Sequence, residues 1–186
     1  MAKIGLNSFR YGILTEAADG TPSYAGAITP AKAVSCSVSI TNNSGMLYAD
    51  DALAESDTSF QSGTVTMGVD KLDNQTQGAL LGHTVSDGEI VRNGNDVAPY
   101  VGLGRVVTLM IDGSYKYRAE FLYKVKFAEP SQENNTKGES IEFGTYSLEG
   151  TVAELANGNW SIAKEFTSKA DAISYIEGLL GTTPSH

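Results

Sequence analysis

Residues 104–127 read GRVVTLMIDGSYKYRAEFLYKVKF, and this stretch decides the fold. Gly104 to Ile111 is apolar and rich in β-branched residues, which suit an extended, half-buried backbone. Asp112-Gly113 follows, a pair suited to the positive φ angles of a two-residue hairpin turn. Then Tyr115, Tyr117, Ala119, Phe121, Tyr123, Val125 and Phe127 take every second position, with Lys116, Arg118, Glu120, Leu122, Lys124 and Lys126 between them. Period-two alternation puts the first set on one face of a strand. The expectation is a long hairpin at the centre of a β domain.

Working outward, other segments repeat the pattern. Phe9, Tyr11 and Ile13 predict a strand near 8–15, a turn follows at Asp19-Gly20, and Gly26 to Pro30 reads as a loop. Residues 31–41 alternate Val34, Cys36, Val38 and Ile40 with Ala33, Ser35, Ser37 and Ser39, a half-buried strand with small polar residues outside. Asn42 to Gln61 is acidic and weakly patterned, and reads as an extended loop or a long exposed hairpin. Gly63 to Val69 is again strand-like. A helix is predicted over about 73–82, with Asp73 as N-cap and Gly82 as terminator. Residues 86–98 read as turns around a short strand, and Glu129 to Lys137 as a polar loop. Strands resume over 139–155, and Asn157-Gly158 reads as a hairpin turn before a strand holding Trp160 and Ile162. A second helix is predicted over about 168–180, capped by Ser168. The expectation is a mainly β single domain spanning 1–186, a sandwich or barrel of eight to ten strands with two flanking helices.

Composition bounds the function. The chain has 186 residues, a net charge of −9, one cysteine and two histidines. An acidic chain lacks the basic face of a sequence-reading nucleic-acid binder. No apolar run approaches a membrane span, and the N-terminal residues turn polar before a signal-peptide core forms, so synthesis in the cytoplasm is expected. Cys36 alone gives neither a disulfide nor a zinc set. It reads as an inert small core residue. His83, just after the first helix, reads as a structural cation near that helix's C-terminal end, and His186 is terminal.

Catalytic and cofactor signals are weak. Asp50, Asp51, Glu55 and Asp57 lack the glycine and spacing of a calcium loop and read as a solvated acidic run. Gly102-Leu103-Gly104 lacks the third glycine of a dinucleotide fingerprint and precedes a strand instead of following one. The Asn-x-Ser/Thr triplets beginning at Asn42, Asn74, Asn134 and Asn159 are compositional. Lys116, Arg118, Lys124 and Lys126 form a basic stripe, read as a polar face neutralised by acidic neighbours. The expectation is a non-enzyme with no cofactor and no metal.

Several segments, taken in order, carry a resemblance: Phe9-Arg10-Tyr11-Gly12, Leu47-Tyr48-Ala49-Asp50-Asp51, Ala54-Glu55-Ser56-Asp57, Gly63 to Val69, Pro99 to Gly104 and Lys124 to Pro130. Their order and spacing resemble the major tail proteins, or tail tube proteins, of long-tailed bacteriophages and prophages. The resemblance implies a tail-tube-like β-sandwich whose copies form hexameric rings, stacked into a hollow virion tail through which DNA is ejected without sequence-specific binding. It implies self-association, with tape measure, tail terminator and distal tail proteins as further partners. It also implies that a long loop stacks successive rings, here Leu47, Tyr48, Asp50, Asp51, Leu53, Glu55, Asp57 and Phe60. The hairpin residues Asp112, Gly113, Lys116 and Arg118 are expected at the contact within a ring. The competing expectation is a soluble carbohydrate-binding module, with Tyr100, Tyr115, Tyr117, Tyr123 and Trp160 as its aromatic platform.

Overall fold

A computed structural model describes residues 2–49, 52–130 and 145–181, with backbone alone at 2–3, 45–49 and 52–57. In chain order the elements are β1 (Ala2–Glu16), β2 (Pro22–Ile28), β3 (Ala33–Ala49), β4 (Ala52–Val69), α1 (Asn74–Leu81), β5 (Thr84–Ser86) and β6 (Glu89–Val91). Then come β7 (Val101–Ile111), β8 (Ser114–Phe127), β9 (Tyr146–Ala153), β10 (Ser161–Phe166) and α2 (Lys169–Leu179). The expectation of a mainly β sandwich with two flanking helices is met.

One antiparallel sheet runs in the order β2-β1-β7-β8-β9-β4-β3, and β10 also pairs with β8. The sheet folds across itself along β8, whose two halves belong to different layers. Residues 117–122 pair with β10, while Lys124 to Phe127 pair with β9. Asn157-Gly158 is therefore not a hairpin turn. β9 and β10 run in tandem along the same edge of β8, and the loop between them closes on itself through Leu155 and Asn159.

The fold-over has a local cause. Val101 pairs with Val125 and Leu103 with Leu122, so Gly102 alone faces Tyr123 and Lys124. Such a bulge re-aims every later side chain. Tyr117, Ala119, Phe121 and Tyr123 lie against α2, but Leu122, Val125 and Phe127 enter the core between the layers. The single apolar face expected for 115–127 is thus two faces. Tyr24 of β2 supports the bulge by donating from Oη to the Tyr123 carbonyl at 2.8 Å.

Between the layers, Phe9 and Tyr11 of β1, Leu103 of β7 and Val125 of β8 meet Val65 and Met67 of β4 and Leu148 and Val152 of β9. All eight are at most 2% exposed. Burial of each such side chain contributes about 1.5–3 kcal/mol. On the other side of β7 and β8, Ala172, Ile176 and Leu180 cover Val106, Ala119 and Phe121. Gly104 is what lets α2 come this close, since a Cβ there would strike Ile176 and Phe121.

α1 forms where expected. The Asp73 carboxylate accepts from the Thr76 N–H at 2.7 Å, and Gly82, at φ 80°, donates to the Gly78 carbonyl at 2.9 Å. Leu80 and Leu81 join the inter-layer core. Ser168 stands at the N-cap of α2, but its side chain makes no capping hydrogen bond. Pro22, read with Thr21 as a turn, and Gly26 to Ile28, read as loop, belong to strand β2, because pairing with β1 overrides their glycine and proline content. Of the expected 139–155 strands, residues 146–153 form β9, and 139–144 lie outside the described residues.

Candidate assembly surfaces

Of the two readings of the acidic segment 42–61, an extended loop or a long exposed hairpin, the described residues 42–49 and 52–61 form the hairpin, an arm. β3 and β4 pair from Ala33↔Val69 outward to Ala49↔Ala52, with register shifts after Ala33, Thr41 and Leu47. β9 accompanies β4 only from Gly63 inward. Among the described residues, the stretch from Asn42↔Phe60 to Ala49↔Ala52 is therefore two-stranded. At about 3.3 Å per residue it extends some 25 Å past the sheet. Of the residues assigned to ring stacking, Leu47, Tyr48, Leu53, Glu55 and Asp57 lie on this arm, with only their backbone described. Asp50 and Asp51 fall outside the described residues. Phe60 sits at the root, half-buried, where it stacks on Trp160.

β3 also leaves a bare edge. Among the described residues it pairs on one side only, with β4. Its 17 residues include no Lys, Arg, Asp, Glu or Pro. Those are the residues that normally blunt an edge strand. The other edges differ: β2 begins at Pro22 and spans seven residues, and β10 carries Lys164 and Glu165 in its six. The outer face of β3, β4 and β9 carries small hydroxyls and the exposed Glu149, which pairs with Thr66. Ser37 pairs with Thr66 and Ser39 with Thr64, and Thr64 in turn pairs with Thr151.

Asp112 (φ 49°) and Gly113 (φ 78°) form the two-residue turn between Ile111 and Ser114. Just behind it Met110 pairs with Tyr115, and both are exposed, at 38% and 58%. Lys116 adjoins this tip, opposite Leu109. Arg118 lies further in, 3.4 Å from Glu120. The bulge breaks the basic stripe into two pairs. Beyond it, Lys124 bonds Glu16 at 2.6 Å, and Lys124 and Lys126 stand 5.0 and 5.4 Å from the Tyr100 ring centroid. The Lys124 bond and the Ala156 N–H hold the Glu16 carboxyl below its usual range. For Arg118 and Lys124, the reading of a neutralised polar face holds.

Sequence reading missed a cluster inside the fold. Arg105 Nε and Nη2 both donate to Glu120 Oε2, at 2.8 and 2.6 Å, and Nη1 donates to Cys36 Sγ at 2.7 Å. Arg105 and Glu120 face each other across the β7–β8 pair, a register contact that an unbroken alternation can suggest. Cys36 arrives from the opposite layer, which no local pattern signals. Arg105 and Glu120 edge a cleft of about 200 Å³, walled by Val38, Leu103, Leu122, Trp160 and Ile162. Cys36 is half-buried rather than a full core residue. Burial pushes its thiol up, which favours the protonated form over the reactive thiolate. Among the described residues no group of three potential ligands could hold a metal ion. No helix there is long and apolar enough to cross a membrane.

The aromatics expected to form a sugar platform are engaged elsewhere. Trp160 stacks on Phe60, Tyr100 carries the two ammonium groups, and Tyr117 and Tyr123 pack against the α2 cluster. Tyr115 alone of that set is more than half exposed.

His83 is not governed by the helix end. Its Nδ1 lies 2.7 Å from Asp96 Oδ2 and its Nε2 lies 2.9 Å from Glu129 Oε2. These partners stand 13 and 46 residues away in sequence. No protein-family model and no curated protein sequence matches the chain.

Proposed function

We propose that the chain is a tail tube subunit of a long-tailed bacteriophage or prophage, closing into hexameric rings that stack into a DNA-conducting tube. The observation that carries this reading is the β3–β4 arm with its uncharged edge. An isolated two-stranded hairpin is marginal in water. A long edge without charge or proline invites another strand. Both features lack a partner among the described residues, and a second copy would supply one. Contacts between different patches of identical subunits close into rings or propagate as tubes.

Within this reading, the exposed Met110 and Tyr115 behind the Asp112-Gly113 turn lie at the contact within a ring. The arm reaches the next ring. Its apolar Leu47, Tyr48 and Leu53 dock there, and its carboxylates pair with cations of the neighbour, a component that salt weakens. A ring of six would carry a charge of −54, six times the −9 of one chain. That sign disfavours adhesion of DNA phosphates. The outer face of β3, β4 and β9, with its hydroxyls and Glu149, offers them no cluster of cations either. The tape measure, terminator and distal tail proteins are the partners this role requires, and the virion tail is its location.

The test is an arm-shortened variant. Gly45 and Asp57 are register partners, so deleting residues 46–56 and closing with a short Gly-Ser turn keeps the register. The variant should unfold cooperatively near the parent's midpoint and sediment as a small species at concentrations where the parent forms tubes. A folded variant that still builds long tubes would remove the arm from the mechanism.

A further inference from the structure

The corner around His83 holds more charge chemistry than a structural histidine needs. Its side chain is only 8% exposed, and both ring nitrogens face carboxylate oxygens. A neutral imidazole has one N–H and one lone pair. In the neutral form one of these two contacts would set a lone pair against a carboxylate. The geometry is satisfied in full only by the imidazolium, which donates from both nitrogens.

The two carboxylates come from different parts of the chain. Asp96 belongs to the loop after β6, where its Oδ2 also accepts from the Asn93 N–H at 2.8 Å. Glu129 lies just past the end of β8. Arg92, after β6, donates to Glu129 Oε1 at 3.1 Å and to Gln77 Oε1 of α1 at 2.7 Å. Asp96 and Glu129 are the charged groups acting on His83, and Arg92 reaches it only through Glu129. From α1 the neutral Gln77 reaches the network by accepting from Arg92. Asp73 is spent on the helix cap. The rest of the corner is lightly built, since β5 and β6 have three residues each and pair only with each other.

We infer that His83 is a proton-operated clamp, which in its doubly bonded cationic form ties the α1–β5 corner and the 92–96 loop to the end of β8, and which lets go of Glu129 when the proton leaves. The hydrogen bonds to Asp96 and Glu129 hold the His83 pKa above the ordinary 6.5. A raised value places release of the clamp at a midpoint above pH 6.5 and the closed clamp below that midpoint. On the acid side the Asp96 contact persists, because Asp96 is held below its ordinary 3.8 by the Asn93 N–H and by His83.

The experiment is a long-range proton–nitrogen NMR titration of the full chain carrying His186→Gln, which leaves His83 as the one histidine. At pH 6.5 both ring nitrogens should resonate as protonated, and the midpoint should lie above 6.5. Backbone amides of residues 84–91, corrected for intrinsic exchange, should lose protection several-fold as pH rises through that midpoint. In Glu129→Gln the midpoint should fall and the drop in protection should shrink. A single-tautomer neutral ring at pH 6.5, or a midpoint at or below 6.5, overturns the clamp. Protection that does not change across the midpoint overturns it equally.

Discussion

Phe60 and Trp160 stack with ring centroids 4.9 Å apart and planes within 6° of parallel. Phe60 stands opposite Asn42 at the root of the β3–β4 arm, and Trp160 leads into β10. The stack fastens the base of the arm to the opposite layer. An aromatic pair of this kind adds about 0.5–1.5 kcal/mol beyond its buried area. Phe60→Leu keeps most of the area and should lower stability by about that amount. Trp160 is the one tryptophan, so its emission should shift to longer wavelength in the same variant. Unchanged emission would show that the arm root is not fastened there.

Gly104 faces α2 across a gap that admits no side chain. Gly104→Val should push Ile176 and Phe121 aside, at about 1–3 kcal/mol for overpacking. The damage should be local. Thermal unfolding should show the lower midpoint, and limited proteolysis should cut residues 168–181 faster than in the parent. A stable variant with α2 fully protected would contradict the close approach.

What the sequence made legible follows from how local each signal is. The β7–β8 hairpin could be read because Asp112-Gly113 needs no distant partner to turn. α1 could be read because Asp73 and Gly82 bound it within nine residues. The parity change after Leu122 could not, because a bulge is set by what Gly102 leaves unpaired on the neighbouring strand. β2 was hidden because its strand state comes from β1. The candidate surfaces divide the same way. The hairpin tip was visible in the chain, whereas the Arg105–Glu120–Cys36 cluster and the partners of His83 join residues that only the folded layers bring together.

The turn at Asp112-Gly113 isolates backbone strain, because no atom lies within 4 Å of where a Gly113 Cβ would sit. Gly113→Ala should therefore cost only the left-handed penalty, about 1–2 kcal/mol. Gly113→Val should cost more and should impair tube formation if this tip lies in the ring contact. Asp112→Gly relieves a positive φ and should not destabilise. Urea unfolding of the three variants checks the order. Normal tubes from the valine variant would place the tip outside the contact.

Acid should unfold the protein through identifiable carboxylates. Glu16 is held below 4.5 by Lys124 and the Ala156 N–H, and Asp73 below 3.8 by the Thr76 N–H. Each folded value is depressed, so each contributes stability that is present above the unfolded pKa and is lost as pH falls through the folded one. The urea midpoint should hold from pH 7 to about 5 and then decline as pH drops past 4.5 and 3.8. Glu16→Gln should start from a lower midpoint and lose less on acidification. A parent-like slope in that variant would show that the Lys124 pairing does not persist in solution.

The central claim is that one chain, through its arm and its bare β3 edge, assembles with copies of itself. Negative-stain electron microscopy of the purified full-length protein across a concentration series tests this most directly. The account predicts six-fold rings that lengthen into hollow tubes as concentration rises. Monodisperse single subunits at every concentration, with no rings or tubes, would contradict it.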